Sequence, residues 1–139
     1  MALKVKKLSV QEYGVKMKAA IQASGKLSFT EATAQNLHLQ QDDRFALYQD
    51  EIKQDILYMV ANNNDPEAFK VKKSGMYYYM PTKTLFDMLE IDYKNNTYIY
   101  DIIRMAKYDE ELGGTVYQMN RRLVNKTTED NDPDIPATE

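Results

Sequence analysis

Apolar and polar residues alternate along Val15–Ala23, with Val15, Met17, Ala19 and Ile21 set against Lys16, Lys18, Ala20 and Gln22. A two-residue period is that of a strand. Ser24-Gly25 signals a turn, and Lys26–Phe29 predicts a short strand with Leu27 and Phe29 on one face. Thr30 is a helix N-cap candidate, and a short helix over Glu31–Leu37 turns Ala34 and Leu37 inward. Gln40–Asp43 is a polar turn, and a strand follows through Phe45 and Leu47 to Asp50-Glu51. Lys53–Ala61 predicts the next strand, and Asn62–Pro66 (NNNDP) is a loop.

The same order of elements then returns. Ala68–Lys73 alternates, with Phe69 and Val71 opposite Lys70 and Lys72, and Ser74-Gly75 turns the chain. Tyr77–Met80 predicts a strand, Thr82 a second N-cap, and Leu85, Phe86 and Leu89 the apolar face of a second short helix. Asp92–Asn96 is a polar turn, and Thr97–Ile103 is rich in β-formers. Tyr108–Leu112 reads as a charged connector, Gly113-Gly114 as a hairpin turn and Thr115–Arg121 as the last strand. At an offset of 52 residues Thr30 meets Thr82, Leu37 meets Leu89, Leu39 meets Ile91, Leu47 meets Ile99 and Tyr48 meets Tyr100. The glycine turns need a further two-residue shift. The expected fold is mainly β with two short helices, built as a pseudo-duplicated β-α-β pair in one small barrel or sandwich. Residues 1–123 form one domain with halves at about 15–61 and 68–121. Residues 124–139 are polar, acidic and proline-punctuated, which predicts a disordered tail. Met1–Gln11 alternates loosely and suits an arm or an edge strand.

The first copy resembles the AbrB-like, or swapped-hairpin, family. Gly25-Lys26 stands at that family's glycine–basic start, Phe29-Thr30 at its I-P step and Leu37-His38-Leu39 at its L-G-I. Asp43 stands at the turn aspartate, Leu47-Tyr48 and Asp50-Glu51 at the strand end, and Ile56-Leu57 in the closing strand. The second copy offers Met80-Pro81-Thr82, Leu89-Glu90-Ile91 and Tyr98–Asp101. The resemblance implies interleaved hairpins, and DNA binding as a regulator or antitoxin. DNA binding in that family uses helix arginines, whereas this chain has Ala34 and Gln35, then Phe86 and Asp87, at those positions.

Charge sharpens the question of partners. The net charge is −3, but residues 125–139 carry Lys126 against Glu129, Asp130, Asp132, Asp134 and Glu139, a net −4. The front of the chain is basic. Lys16, Lys18, Lys26, Lys70, Lys72 and Lys73 are the candidate nucleic-acid contacts, and an acidic tail would mask such a face in cis. Eleven tyrosines stand out. Tyr77, Tyr78, Tyr79, Tyr98, Tyr100 and Tyr117 are candidates for a base-stacking surface, and Tyr77, Tyr79, Tyr98 and Tyr100 among them for a protein interface.

Chemistry is sparse. There is no cysteine, so thiolate metal sites, disulfides and a cysteine nucleophile are excluded. The single histidine, His38, has no second histidine to complete a site. The carboxylate groups Asp42-Asp43, Asp50-Glu51 and Asp109-Glu110-Glu111 match no calcium or magnesium loop. No phosphate-binding glycine loop or nucleophile elbow is present. The expectation is a cytoplasmic, non-enzymatic interaction or assembly module without cofactor, metal or membrane segment. Its partner is a protein or a second copy. The alternative is a regulator of AbrB type that binds duplex DNA.

Overall fold

A computed structural model describes Leu3, Val5 and residues 16–124. The arm expected at Met1–Gln11 lies outside these described residues, save that Leu3 and Val5 are exposed and not in strands, and so does the expected acidic tail, save that its first residue, Val124, is corrected to a buried one. Among the described residues nine strands form one antiparallel sheet. They are β1 (Met17–Ile21), β2 (Leu27–Phe29), β3 (Arg44–Gln49), β4 (Ile56–Ala61), β5 (Phe69–Lys70), β6 (Lys72–Ser74), β7 (Tyr77–Met80), β8 (Tyr98–Arg104) and β9 (Val116–Leu123). Helices α1 (Glu31–Asn36) and α2 (Lys83–Met88) sit at equivalent places in the two halves. The stretch expected as a charged connector is instead a 3-10 turn at Ala106–Tyr108 running into helix α3 (Asp109–Leu112). Gly113, at φ 77°, closes α3.

The spatial order is β5-β3-β4-β9-β8-β1-β2-β7-β6. Its two ends, β5 and β6, are consecutive in sequence and separated only by Val71, so the sheet nearly closes into a barrel. The alternating run Ala68–Lys73 is therefore not one strand. Phe69-Lys70 pairs with β3, Lys72–Ser74 pairs with β7, and buried Val71 is the corner between them.

Hairpin β1–β2 does not pair with the β3–β4 hairpin of its own half. It inserts between β8 and β7 of the other half, in register Ala19↔Tyr100 and Ser28↔Tyr79. The β5–β7 stretch repays the exchange, because β5 pairs with β3. Exchanging the halves returns the same cyclic strand order, so the barrel has twofold pseudo-symmetry. Local geometry repeats at the 52-residue offset as well. Leu39 N–H donates to Ala34 O (3.0 Å) and Ile91 N–H to Phe86 O (3.1 Å), while His38 and Glu90 hold φ 53° and 59°. These are Schellman turns, in which a left-handed residue ends the helix and the next side chain turns into the core. Leu39 and Ile91 are both buried.

The core runs through Ile21, Leu27, Phe29, Leu57, Met59, Met80, Phe86, Tyr100 and Met119. Both faces of β1 are covered, since all five of its residues, and Gln22 beyond it, are buried. Lys18, a candidate nucleic-acid contact, is thereby corrected to a buried residue. The β4 strand begins only at Ile56, since Asp50 Oδ1 accepts the N–H groups of Ile52 and Lys53 (2.9 Å each) and holds that stretch in a turn.

The two capping threonines differ. Thr33 N–H donates to Thr30 Oγ1 (3.2 Å), as expected of an N-cap. Thr82 makes no such cap bond. Its hydroxyl donates instead to Gly25 O (3.0 Å) in the opposite half. In the first half the Thr30 hydroxyl donates to Thr33 Oγ1 (2.7 Å), which also accepts from Lys18 N–H (2.7 Å). Thr33 is fully buried, so Thr33→Val should cost about 1–3 kcal/mol by removing the acceptor of two buried donors. Thr33→Ser should keep most of that stability. Urea unfolding of the two variants checks this.

Candidate functional site

Each hairpin tip meets the helix of the other half, and the two meetings differ. At the first, Gly25 (φ +89°) lies so close to Lys83 that an added Cβ would stand 2.7 Å from its Cγ and 2.9 Å from its Cα. Lys83 Nζ is tied to Asp87 Oδ2 (2.8 Å), and the Tyr93 hydroxyl donates to the same carboxylate. The hydrogen bond from Lys83 and then that from Tyr93 hold the Asp87 carboxyl below the usual range, and Asp87 in turn raises Lys83. This cleft is sealed by the lysine stem and the Thr82–Gly25 bond.

At the second meeting, Glu31 occupies the place of Lys83, Gln35 that of Asp87 and His38 that of Glu90. Nothing lies within 4 Å of a Cβ added at Gly75. An open groove of about 460 Å³ remains between α1 and the β6–β7 hairpin. Glu31, Gln35 and His38 form one wall, Lys73 and Met76 the other, and Leu39 and Tyr78 contribute apolar surface. Met76 is 73% exposed at the hairpin tip. Gln35 Nε2 donates to Glu31 Oε1 (3.4 Å), so the helix wall presents a paired amide and carboxylate.

The two turns differ. The first hairpin closes on the Ile21↔Leu27 pair and places Gly25 on the β2 side of a five-residue turn, whereas the second closes on Ser74↔Tyr77 and turns within Gly75-Met76. Gly25 therefore packs on Lys83, while Gly75 has no neighbour within 4 Å.

A second surface lies outside the barrel. Leu27, Phe29 and Met80 point into the core, so Lys26, Ser28, Tyr79 and Tyr77 take the opposite face. Cross-strand register extends the row from Ser28 to Tyr79 to Lys72, and Tyr77 stands opposite Ser74. Lys26 Nζ sits 4.7 Å above the Tyr79 ring. Cation–π contact of this kind orients both groups. Tyr77 is 48% exposed.

Of the candidate lysines the structure brings Lys26 and Lys72 together. Lys73 belongs to the row of Phe29 and Tyr78, stands 5.6 Å from the Tyr78 ring and borders the groove. Lys70 is across the Val71 corner on β5 beside Arg44. Lys16 is exposed just before β1, and Lys18 is buried. Among the candidate tyrosines, Tyr77 and Tyr79 share the outer strip. Tyr100 is corrected to a core residue, fully buried and stacked on Phe86 at 6.2 Å. Burial pushes its phenol above the usual range, with the Arg121 guanidinium acting against it. Tyr98 is on the core-side row with Ile21, half-buried, and carries the Arg121 guanidinium at 5.6 Å.

His38 is exposed at the end of α1, and among the described residues no three His, Cys, Asp or Glu side chains gather as a metal site. No helix of the described residues is long and apolar enough to cross a membrane. The groove residues Glu31 and Met76 carry no motif. The signal for them was the unequal spacing of the glycine turns. Comparisons with family models, with curated proteins and with solved structures give no match.

Proposed function

We propose that the protein is a non-enzymatic interaction module of AbrB-like design whose docking surface is the groove between α1 and the β6–β7 hairpin. The observation that carries this reading is the asymmetry of the two clefts. One is sealed by Lys83 and Thr82 on Gly25, while its pseudo-equivalent stays open and displays Met76 and Tyr78 beside Glu31 and Lys73. An apolar centre with a polar rim is the anatomy of a protein-binding surface. The hairpin exchange supports the AbrB-like resemblance. Sedimentation velocity of the wild-type complex against two variants tests the reading. Met76→Asp should dissociate the partner or second copy, whereas Met88→Asp, equally exposed on α2, should not. A chain that sediments as a monomer from cell extract and from purified stock overturns it.

One observation favours a second reading, DNA binding. Lys26 and Lys72 flank Tyr79 on one outer strip, where Lys72 is exposed and Lys26 and Tyr79 are half-buried. Duplex affinity measured from 20 to 200 mM salt should fall steeply. Lys26→Ala and Lys72→Ala should each lower the log–log salt slope by about 1. Absence of binding at the lowest salt ends this reading.

A further inference from the structure

The row that carries the strip continues across the sheet. Ile99 on β8 faces Ala20 on β1, Ala20 faces Ser28, Ser28 faces Tyr79 and Tyr79 faces Lys72. Val124 closes the other end of this row. Its N–H donates to Thr97 O (2.9 Å), and its side chain is buried with Ala20 and Ile99 in a cluster separate from the main core. The chain therefore leaves β9 by leaning over β8 and β1, on the face that leads to Tyr79. From Ala20 to Lys72 is three strand spacings, about 14 Å along the sheet. An extended chain reaches at most about 3.5 Å per residue. Glu129 and Asp134, the first and last of a run that includes Asp130 and Asp132, thus lie within about 18 and 35 Å of Val124. The run is acidic and the strip is basic. Tethering on so short a linker gives an effective concentration in the millimolar range, enough for contacts that separate molecules would not hold.

We infer that the acidic segment Glu129–Asp134 docks in cis on the Lys26–Tyr79–Lys72 strip and competes there with phosphate-bearing ligands. The competition rests on the DNA-binding reading, whereas the cis contact does not. The chain has no cysteine, so Ala137→Cys in the full-length protein accepts a single nitroxide without altering the acidic run. Paramagnetic broadening should concentrate on the amides of Lys72, Ser74, Tyr77 and Tyr79. It should fade at 0.5 M salt, where screening shortens to a few ångströms, and in Lys26→Glu/Lys72→Glu protein. The variant Glu129→Gln/Asp130→Asn/Asp132→Asn/Asp134→Asn should also lose it, and should bind a 20-base-pair duplex at least fivefold more tightly than wild type. Localised broadening with no duplex binding upholds the cis contact and removes DNA as the competing ligand. Broadening spread evenly over the protein, centred on another face, or arising only between molecules in a mixture of labelled and isotope-enriched chains overturns the inference.

Discussion

Phe86→Ala should destabilise the barrel by about 3–5 kcal/mol, the range for truncating a fully buried phenylalanine. Phe86 has no exposed surface and stacks on Tyr100 at 6.2 Å with ring planes 21° apart. It also accepts, through its carbonyl, the Schellman bond from Ile91 N–H that ends α2. A cavity here would loosen Tyr100, which pairs with Ala19 of the exchanged hairpin, and so reach both halves. A loss of this size takes much of the ~5–15 kcal/mol that holds a domain folded. Leu85→Ala on the same helix removes a half-buried side chain and should cost clearly less. The urea midpoints of the two variants give the comparison.

Gly25→Ala and Gly75→Ala separate the sealed cleft from the open one. Both glycines hold positive φ, +89° and +60°, where a side chain adds about 1–2 kcal/mol of strain. At Gly25 the new Cβ also meets Lys83, including its Cα at 2.9 Å, which a rotamer change does not relieve. Overpacking of that kind adds about 1–3 kcal/mol. At Gly75 nothing lies within 4 Å. Gly25→Ala should thus lose about 2–5 kcal/mol and Gly75→Ala about 1–2 kcal/mol. Equal losses would mean that both tips are free, or that both are packed.

Much of the barrel is legible in the pattern of the chain. Thr30 and Thr82, Leu37 and Leu89, and Leu39 and Ile91 recur because a short helix needs a buried start, an apolar face and a left-handed stop at fixed spacing. The exchange of hairpins is not legible in the alternation, and only the resemblance implied interleaving. Met17–Ile21 alternates in the same way whichever strand it pairs with, and its partner Tyr98–Ile102 lies about 80 residues away. Alternation also misplaced Lys18. It identified the face opposite the core but gave no sign that this face is covered. Tyr100 fell to the same cause, since strand β8 buries Ile99 on one face and Tyr100 on the other. At Val71 the apolar period runs on unbroken while the hydrogen-bond partner changes from β3 to β7. The candidate site was half visible. Lys26, Lys72, Tyr77 and Tyr79 carry the right chemistry, but only the register Ser28↔Tyr79↔Lys72 puts them on one strip. The groove lies beside a different turn, Gly75-Met76 where the first hairpin has Gln22–Lys26, and such a turn carries no motif of its own.

Photo-cross-linking in living cells tests the docking surface most directly. A benzoylphenylalanine at position 76 should give a discrete adduct that Glu31→Lys weakens, because Glu31→Lys places at the groove rim the residue type that seals the other cleft. The same probe at position 88, equally exposed on the opposite helix, should give none. No adduct from position 76, or equal adducts from both positions, would contradict the groove as the surface through which this protein works.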